Sequence, residues 1–141
     1  MDMRIAYGTD ERTAATDELA EELVRRGHEV VVVADGIDWP DAGRAVGEAV
    51  ARGEADRGVV WCWTGTGVVL AANKVPGVRA ALCADPETAR GARRWNDAHV
   101  LGLSLRTTTA TVAVEIVDAF LATDVDAGEG HLIARVEPGQ G

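Results

Sequence analysis

Short β-branched runs alternate with amphipathic segments along the whole chain, and this alternation restricts the fold more than any single residue does. RIAYGTD reads as a strand ending in a polar turn. TAATDELAEELVRRGHE has apolar positions at helical spacing and predicts a helix stopping at Gly27. EVVVVADG is a continuous apolar run, the pattern of a parallel strand covered on both faces. DAGRAVGEAVARGEADRG predicts a second helix, GVVWCWTG a third strand and TGVVLAANKVPG a third helix ended by Val75-Pro76-Gly77. VRAALCAD, PETARGARRWND, AHVLGLSLR and TTTATVAVEIVDAFLATD continue as strand, helix with Pro86 in its first turn, strand and long helix. Five strands alternating with helices mean right-handed βαβ crossovers and a parallel sheet. The expected fold is a three-layer αβα, Rossmann-like single domain spanning 1–141, with a Gly-rich tail from about residue 124.

A chain of 141 residues is long enough to bury a core of its own. Its formal net charge of -9 argues against nucleic acid and anionic membranes as partners, though not against an anionic small molecule in a cleft with its own arginines. No apolar run reaches bilayer length, and MDMRIAYGTD does not read as a signal peptide. Cys62 and Cys83 could form one disulfide but read as a pair of free thiols in a cytoplasmic protein. His28, His99 and His131 are scattered and not at metal-ligand spacing.

Ligands of open parallel sheets sit at the carboxyl ends of the strands. Those ends here are Thr9-Asp10-Glu11, Asp35 to Trp39, Cys62 to Gly67, Ala84-Asp85 and Ser104 to Arg106. The third carries Thr64-Gly65-Thr66-Gly67 between a strand and a helix start. Glycine there lets successive N–H groups converge at a helix N-terminus, suited to a phosphate, a carboxylate or a developing oxyanion. A plain tight turn is the alternative. The dinucleotide fingerprint is a poor fit, because Leu70 replaces its third glycine, although Asp85 lies near the expected offset of about 20 residues. Cys62, just before the turn, is either a small buried hydrophobe or a base favoured by the neighbouring backbone dipoles. Cys83 has no glycine turn after it and reads as core.

GVVWCWTGTGVVLAANKVPGVRAAL resembles the corresponding run of the ribose-5-phosphate isomerase B / galactose-6-phosphate isomerase family. The likeness extends through Trp95-Asn96-Asp97 to Arg106, back through Asp38-Trp39-Pro40, and to RIAYGTD at the first strand. The resemblance implies a homodimer, open to pairing into a tetramer, with active sites shared across the interface. It implies isomerisation of sugar phosphates through an enediolate, without metal or cofactor. By the same resemblance Cys62 is the base and Thr64 the proton-shuttling hydroxyl, and Gly65, Thr66 and Gly67 form the oxyanion turn. Asp10 and Asn96 contact the sugar, and Arg106 and Arg135 face the phosphate, Arg135 from the partner subunit.

The departures from the family pattern cluster at the same motifs. Trp95 stands where the family has its ring-opening histidine, Glu11 where a histidine follows the aspartate, Trp63 where a glycine follows the cysteine, and Trp39 where a tyrosine precedes Pro40. His131 replaces one of two C-terminal phosphate arginines. Three of four tryptophans therefore sit at motif positions, which points to a pocket rebuilt for a ligand other than ribose 5-phosphate. An inactive dimeric small-molecule-binding protein of the same fold is the alternative. Arg90, Arg93 and Arg94 read as a solvated helix face, and His28 and His99 as surface or strand-end residues.

Overall fold

The computed structural model describes residues 2–138, so Gly139, Gln140 and Gly141 of the expected tail lie outside the described residues. The elements run β1 (Arg4–Thr9), α1 (Ala14–Arg25), β2 (Glu29–Asp35), α2 (Trp39–Ala51), β3 (Arg57–Cys62) and α3 (Thr66–Asn73). They continue with β4 (Ala80–Leu82), α4 (Pro86–Asn96), β5 (Val100–Ser104), α5 (Ala110–Ala122), a 3-10 turn (Ala127–Glu129) and α6 (Gly130–Ile133). The five strands pair in parallel in the order β2-β1-β3-β5-β4. The chain reverses direction across the sheet after β2, which opens a crevice above the carboxyl ends of β1 and β3.

Alternation along each strand divides the core in two. Ile5, Tyr7, Val59, Trp61, Leu101 and Leu103 face a layer holding Leu19 and Leu23 of α1 and Ile116 and Phe120 of α5. Ala6, Val60, Cys62 and Val100 face the opposite layer, with Val46 of α2 and Val68 of α3. Each large apolar side chain so buried contributes about 1.5–3 kcal/mol. On the side of α2 and α3 the helices touch backbone to backbone. A Cβ at Gly43 would stand 2.8 Å from the Ala71 methyl, so a side chain there would push the layer apart. Local signals agree with these elements. Thr13 and Thr16 form a reciprocal capping box at α1, and Asp85 and Thr109 cap α4 and α5.

Three expectations need correction. The run EVVVVADG is an edge strand, not one covered on both faces, and Val32 is 57% exposed. Arg93 is 3% exposed rather than solvated: it donates to Asp97, to the Ala98 carbonyl and to the Thr123 carbonyl, and lies over the Phe120 ring. The second helix begins at Trp39, because Pro40 suits its first turn. No helix among the described residues is long and apolar enough to cross a membrane.

Candidate active site

Cys62 is the last residue of β3, and its pairing with Ser104 of β5 holds it at the carboxyl edge of the sheet. The alternation that turns Trp61 into one layer turns Cys62 toward α3 in the other. The thiol is 5% exposed and free, and Cys83 lies in the opposite layer, so the two share no bridge. Burial pushes the Cys83 thiol up to about 12, which suits a core residue.

Asp10, Trp39, Cys62, Trp63, Thr64, Thr66, Gly67 and Leu70 line one cleft of about 330 Å³. Larger grooves run beside α2 and along β4, but neither joins a nucleophile to a helix N-terminus. Gly65 takes a left-handed φ of 80°, where a Cβ would also meet the Leu103 backbone at 3.1 Å. Only glycine makes this turn without strain. No side chain caps α3, so the N–H groups of its first turn have no intrahelical acceptor and face the cleft end of the helix dipole. The Thr64 and Thr66 hydroxyls lie 2.7 Å apart and share a hydrogen bond.

Asp10 enters from the turn after β1. Its N–H donates to the Trp61 carbonyl, while the Thr9 hydroxyl donates to the Glu11 carbonyl at 2.6 Å and accepts the Glu11 N–H. These bonds hold the Asp10 carboxylate against the cleft wall, with its Oδ1 buried and without a hydrogen-bond partner among the described residues. Desolvation, with the Glu11 charge adding to it, raises the Asp10 carboxyl above the ordinary carboxylate range. The Glu11 side chain is exposed and does not line the cleft.

The tryptophans differ in role. Trp61 is fully buried, and its Nε1 donates to the Tyr7 hydroxyl, which donates to the Thr16 carbonyl. Trp39 lies against the glycine turn, so close that a Cβ on Gly67 would meet its ring at 2.8 Å. Trp63 stands beside Cys62 and is 58% exposed.

The remaining expected residues divide between two edges of the sheet. The Arg106 N–H donates to the Trp63 carbonyl, and among the described residues its guanidinium has no carboxylate partner. It is therefore a free cation next to the cleft. Asn96 and Trp95 end α4 and line grooves beside β4, together with Ala81 and, for Asn96, Arg79 and Val136. Neither lines the Cys62 cleft within one copy. Arg135 follows α6 in the turn, and its neighbour Val136 lines the groove with Asn96. Asp85, the residue a nucleotide-binding reading would need, is occupied as the α4 cap, accepting the Thr88 N–H at 2.7 Å.

Three contributors carried weaker signals. Leu70 lines the cleft because it lies on the same helical face as Thr66 and Gly67. The Ser104 hydroxyl donates to the Trp63 carbonyl and accepts the Thr107 N–H, tying the end of β5 to the turn after Cys62. Asn73 of AANK forms a two-way amide bond with the Ala80 backbone, anchoring the short edge strand β4.

Comparison with known proteins gives the same picture over nearly the full length. Ribose-5-phosphate isomerase B of Escherichia coli (strain K12) is 37% identical over 130 residues, 89% of this chain and 87% of that protein. D-erythrulose-4-phosphate isomerase of Pectobacterium atrosepticum is 38% identical over 90 residues, 64% of this chain and 59% of that protein. The solved structure of ribose-5-phosphate isomerase B from Clostridium thermocellum superposes with a TM-score of 0.88 at 38% identity, covering 95% of each chain. The ribose/galactose isomerase family matches residues 5–137, and with this coverage the chain belongs to that family.

Proposed function

We propose that this chain is an aldose–ketose isomerase acting on a sugar phosphate other than ribose 5-phosphate, with Cys62 as the base. One observation carries the reading: the thiol shares a cleft with the uncapped N-terminus of α3 and with an acceptor oxygen that lacks a donor. In the proposed reaction the Cys62 thiolate removes the proton on C2 of the aldose, and the electron pair passes through C1 to the carbonyl oxygen. The N–H groups of the glycine turn hold the resulting enediolate oxygen. The Thr64 hydroxyl, already hydrogen-bonded to Thr66, moves a proton from O2 to O1. Cys62 then returns its proton to C1 as the C2 carbonyl forms, so atoms and charge balance. Asp10 Oδ1 accepts a sugar hydroxyl, Arg106 attracts the phosphate, and the Trp39 and Trp63 faces set the shape of the pocket.

Asn96 and Arg135 act on this cleft from a second copy of the chain. The support is their position: neither lines the Cys62 cleft of one copy, while Asn96 lines a groove beside β4 together with Val136, the residue that follows Arg135. A cytoplasmic homodimer is the arrangement proposed. Mixing Cys62→Ala with Asn96→Ala subunits then restores about a quarter of wild-type activity, since half the random dimers keep one intact site.

Deuterium uptake from solvent, read by proton NMR over a panel of aldose and ketose phosphates, tests the chemistry. Uptake with wild type and none with Cys62→Ala supports the assignment. No uptake with any compound by the folded protein would turn the reading to a binding protein of the same fold.

A further inference from the structure

Resting on the isomerase reading, we infer that Ser104 is a positioning residue for the reaction: its hydroxyl holds the Trp63–Thr64 peptide with the Thr64 N–H turned into the Cys62 cleft, where it serves the enediolate oxygen. Successive carbonyls of a strand point to opposite neighbours. β3 keeps that rule through Cys62. The Trp61 carbonyl points to the β1 side, where it accepts the Asp10 N–H at 3.3 Å, and the Cys62 carbonyl points to the β5 side, where it accepts the Leu105 N–H at 2.9 Å. The next carbonyl, that of Trp63, should return to the β1 side. It does not. The Ser104 hydroxyl at 3.0 Å and the Arg106 N–H at 2.9 Å both donate to it and hold it toward β5.

A trans peptide is planar, so its N–H points opposite to its C=O. Fixing the Trp63 carbonyl toward β5 therefore turns the Thr64 N–H toward the β1 side, which is the side of Asp10. Asp10, Cys62 and Thr64 line one cleft there. Among the described residues the Thr64 N–H has no acceptor of its own. Regular alternation would instead present a carbonyl oxygen at this point, and its partial negative charge would face the enediolate oxygen. The break in alternation replaces that acceptor with a donor, beside the open N–H groups of the first turn of α3.

Of the two donors, Ser104 is the better anchored. It pairs in register with Cys62 and is buried, whereas Arg106 lies past the end of β5. The Ser104 hydroxyl also accepts the Thr107 N–H at 3.2 Å. A hydroxyl that accepts one N–H still has its own proton to give, and here the Trp63 carbonyl takes it. Alanine at this position leaves the Arg106 N–H as the single restraint on the peptide plane. One hydrogen bond shifts such an equilibrium by about 2–10-fold, and a site without an oxyanion donor loses about 10²–10³-fold in kcat. Molecules with the peptide turned the wrong way therefore contribute almost nothing, and kcat falls with the population turned the right way. KM rests on the sugar hydroxyls and the phosphate, which this peptide does not hold, and so it stays near its wild-type value.

The test compares wild type, Ser104→Ala and Ser104→Thr on the aldose phosphate into which wild type brings deuterium fastest, with Tm measured on the same preparations. Ser104→Ala should lower kcat by about three- to tenfold and slow deuterium uptake to the same degree, with KM within about twofold of wild type. Ser104→Thr keeps the hydroxyl and should recover most of the rate. A folded Ser104→Ala protein with wild-type kcat, or one whose KM rises while kcat holds, overturns the inference and leaves the isomerase reading intact. Equal losses in the folded alanine and threonine variants overturn it as well, because the hydroxyl is then not the cause. Deuterium uptake by wild type into none of the panel overturns the isomerase reading and the inference with it.

Discussion

Replacing Asp10 by asparagine should make the protein more stable and less active, and the opposite signs are the point. Asp10 Oδ1 is buried without a donor, and burial raises its carboxyl above the ordinary range. At neutral pH the folded chain therefore holds a charge that is better solvated in the unfolded chain. Below the unfolded pKa both states carry the proton and the effect vanishes. As pH rises toward the raised folded value, the unfolded chain ionises first and native stability falls relative to the variant. Above the folded value the deficit is constant. A neutral amide removes the charged part of this penalty, and because solvent screens a carboxylate that is only partly buried, the gain is small and its sign is the readout. Activity moves the other way. A hydrogen bond from a substrate hydroxyl to a carboxylate is worth about 1.5–3 kcal/mol, so kcat/KM falls by roughly 10–150-fold. Because binding needs the ionised carboxylate, wild-type kcat/KM has an acid limb above the usual Asp range. Glu11→Gln, which removes a neighbouring negative charge, shifts that limb to lower pH. Urea denaturation at pH 4 and pH 7, with isomerase kinetics on the same preparations, reads both effects. An Asp10→Asn protein that is less stable at pH 7, with kcat/KM unchanged, would refute the reasoning.

Tyr7→Phe removes the acceptor for the buried Trp61 Nε1–H and the donor to the Thr16 carbonyl, and should cost about 2–3 kcal/mol, read as a lower urea midpoint at unchanged slope. Gly67→Ala drives a methyl into the Trp39 ring and should lower kcat/KM by about tenfold or more with little loss of Tm, and adding Trp39→Ala should recover part of the rate. If Gly67→Ala alone leaves kinetics unchanged, Trp39 does not rest on a working oxyanion turn.

The order of the elements was legible because each strand and helix states its period locally, and Cys62 could be placed at a strand end for the same reason. What the pattern could not state is which strand lies at the edge. EVVVVADG reads alike in the centre of a sheet or at its margin, and only the tertiary order β2-β1-β3-β5-β4 leaves Val32 exposed. Arg93 defeated the pattern for another reason, since three oxygens from Asp97, Ala98 and Thr123 make a buried guanidinium acceptable, and all three lie beyond the end of its helix.

Asn96 shows a conclusion that was available in the sequence but needed the fold to make it compelling. A crossover helix runs against its strands, so α4 leaves the carboxyl edge of the sheet at Pro86 and reaches the amino edge at Asn96. Its 11 residues span about 16 Å, close to the full height of β5. A residue at the end of such a helix cannot reach the carboxyl edge of its own sheet, where Cys62 stands. The family resemblance nevertheless assigns Asn96 to the sugar and Arg135 to the phosphate. The proposed pairing meets both demands, with the amino-edge corner of one copy closing over the carboxyl-edge cleft of another. Trp95 would then arrive beside Asn96, adding a third indole to Trp39 and Trp63 around the cleft.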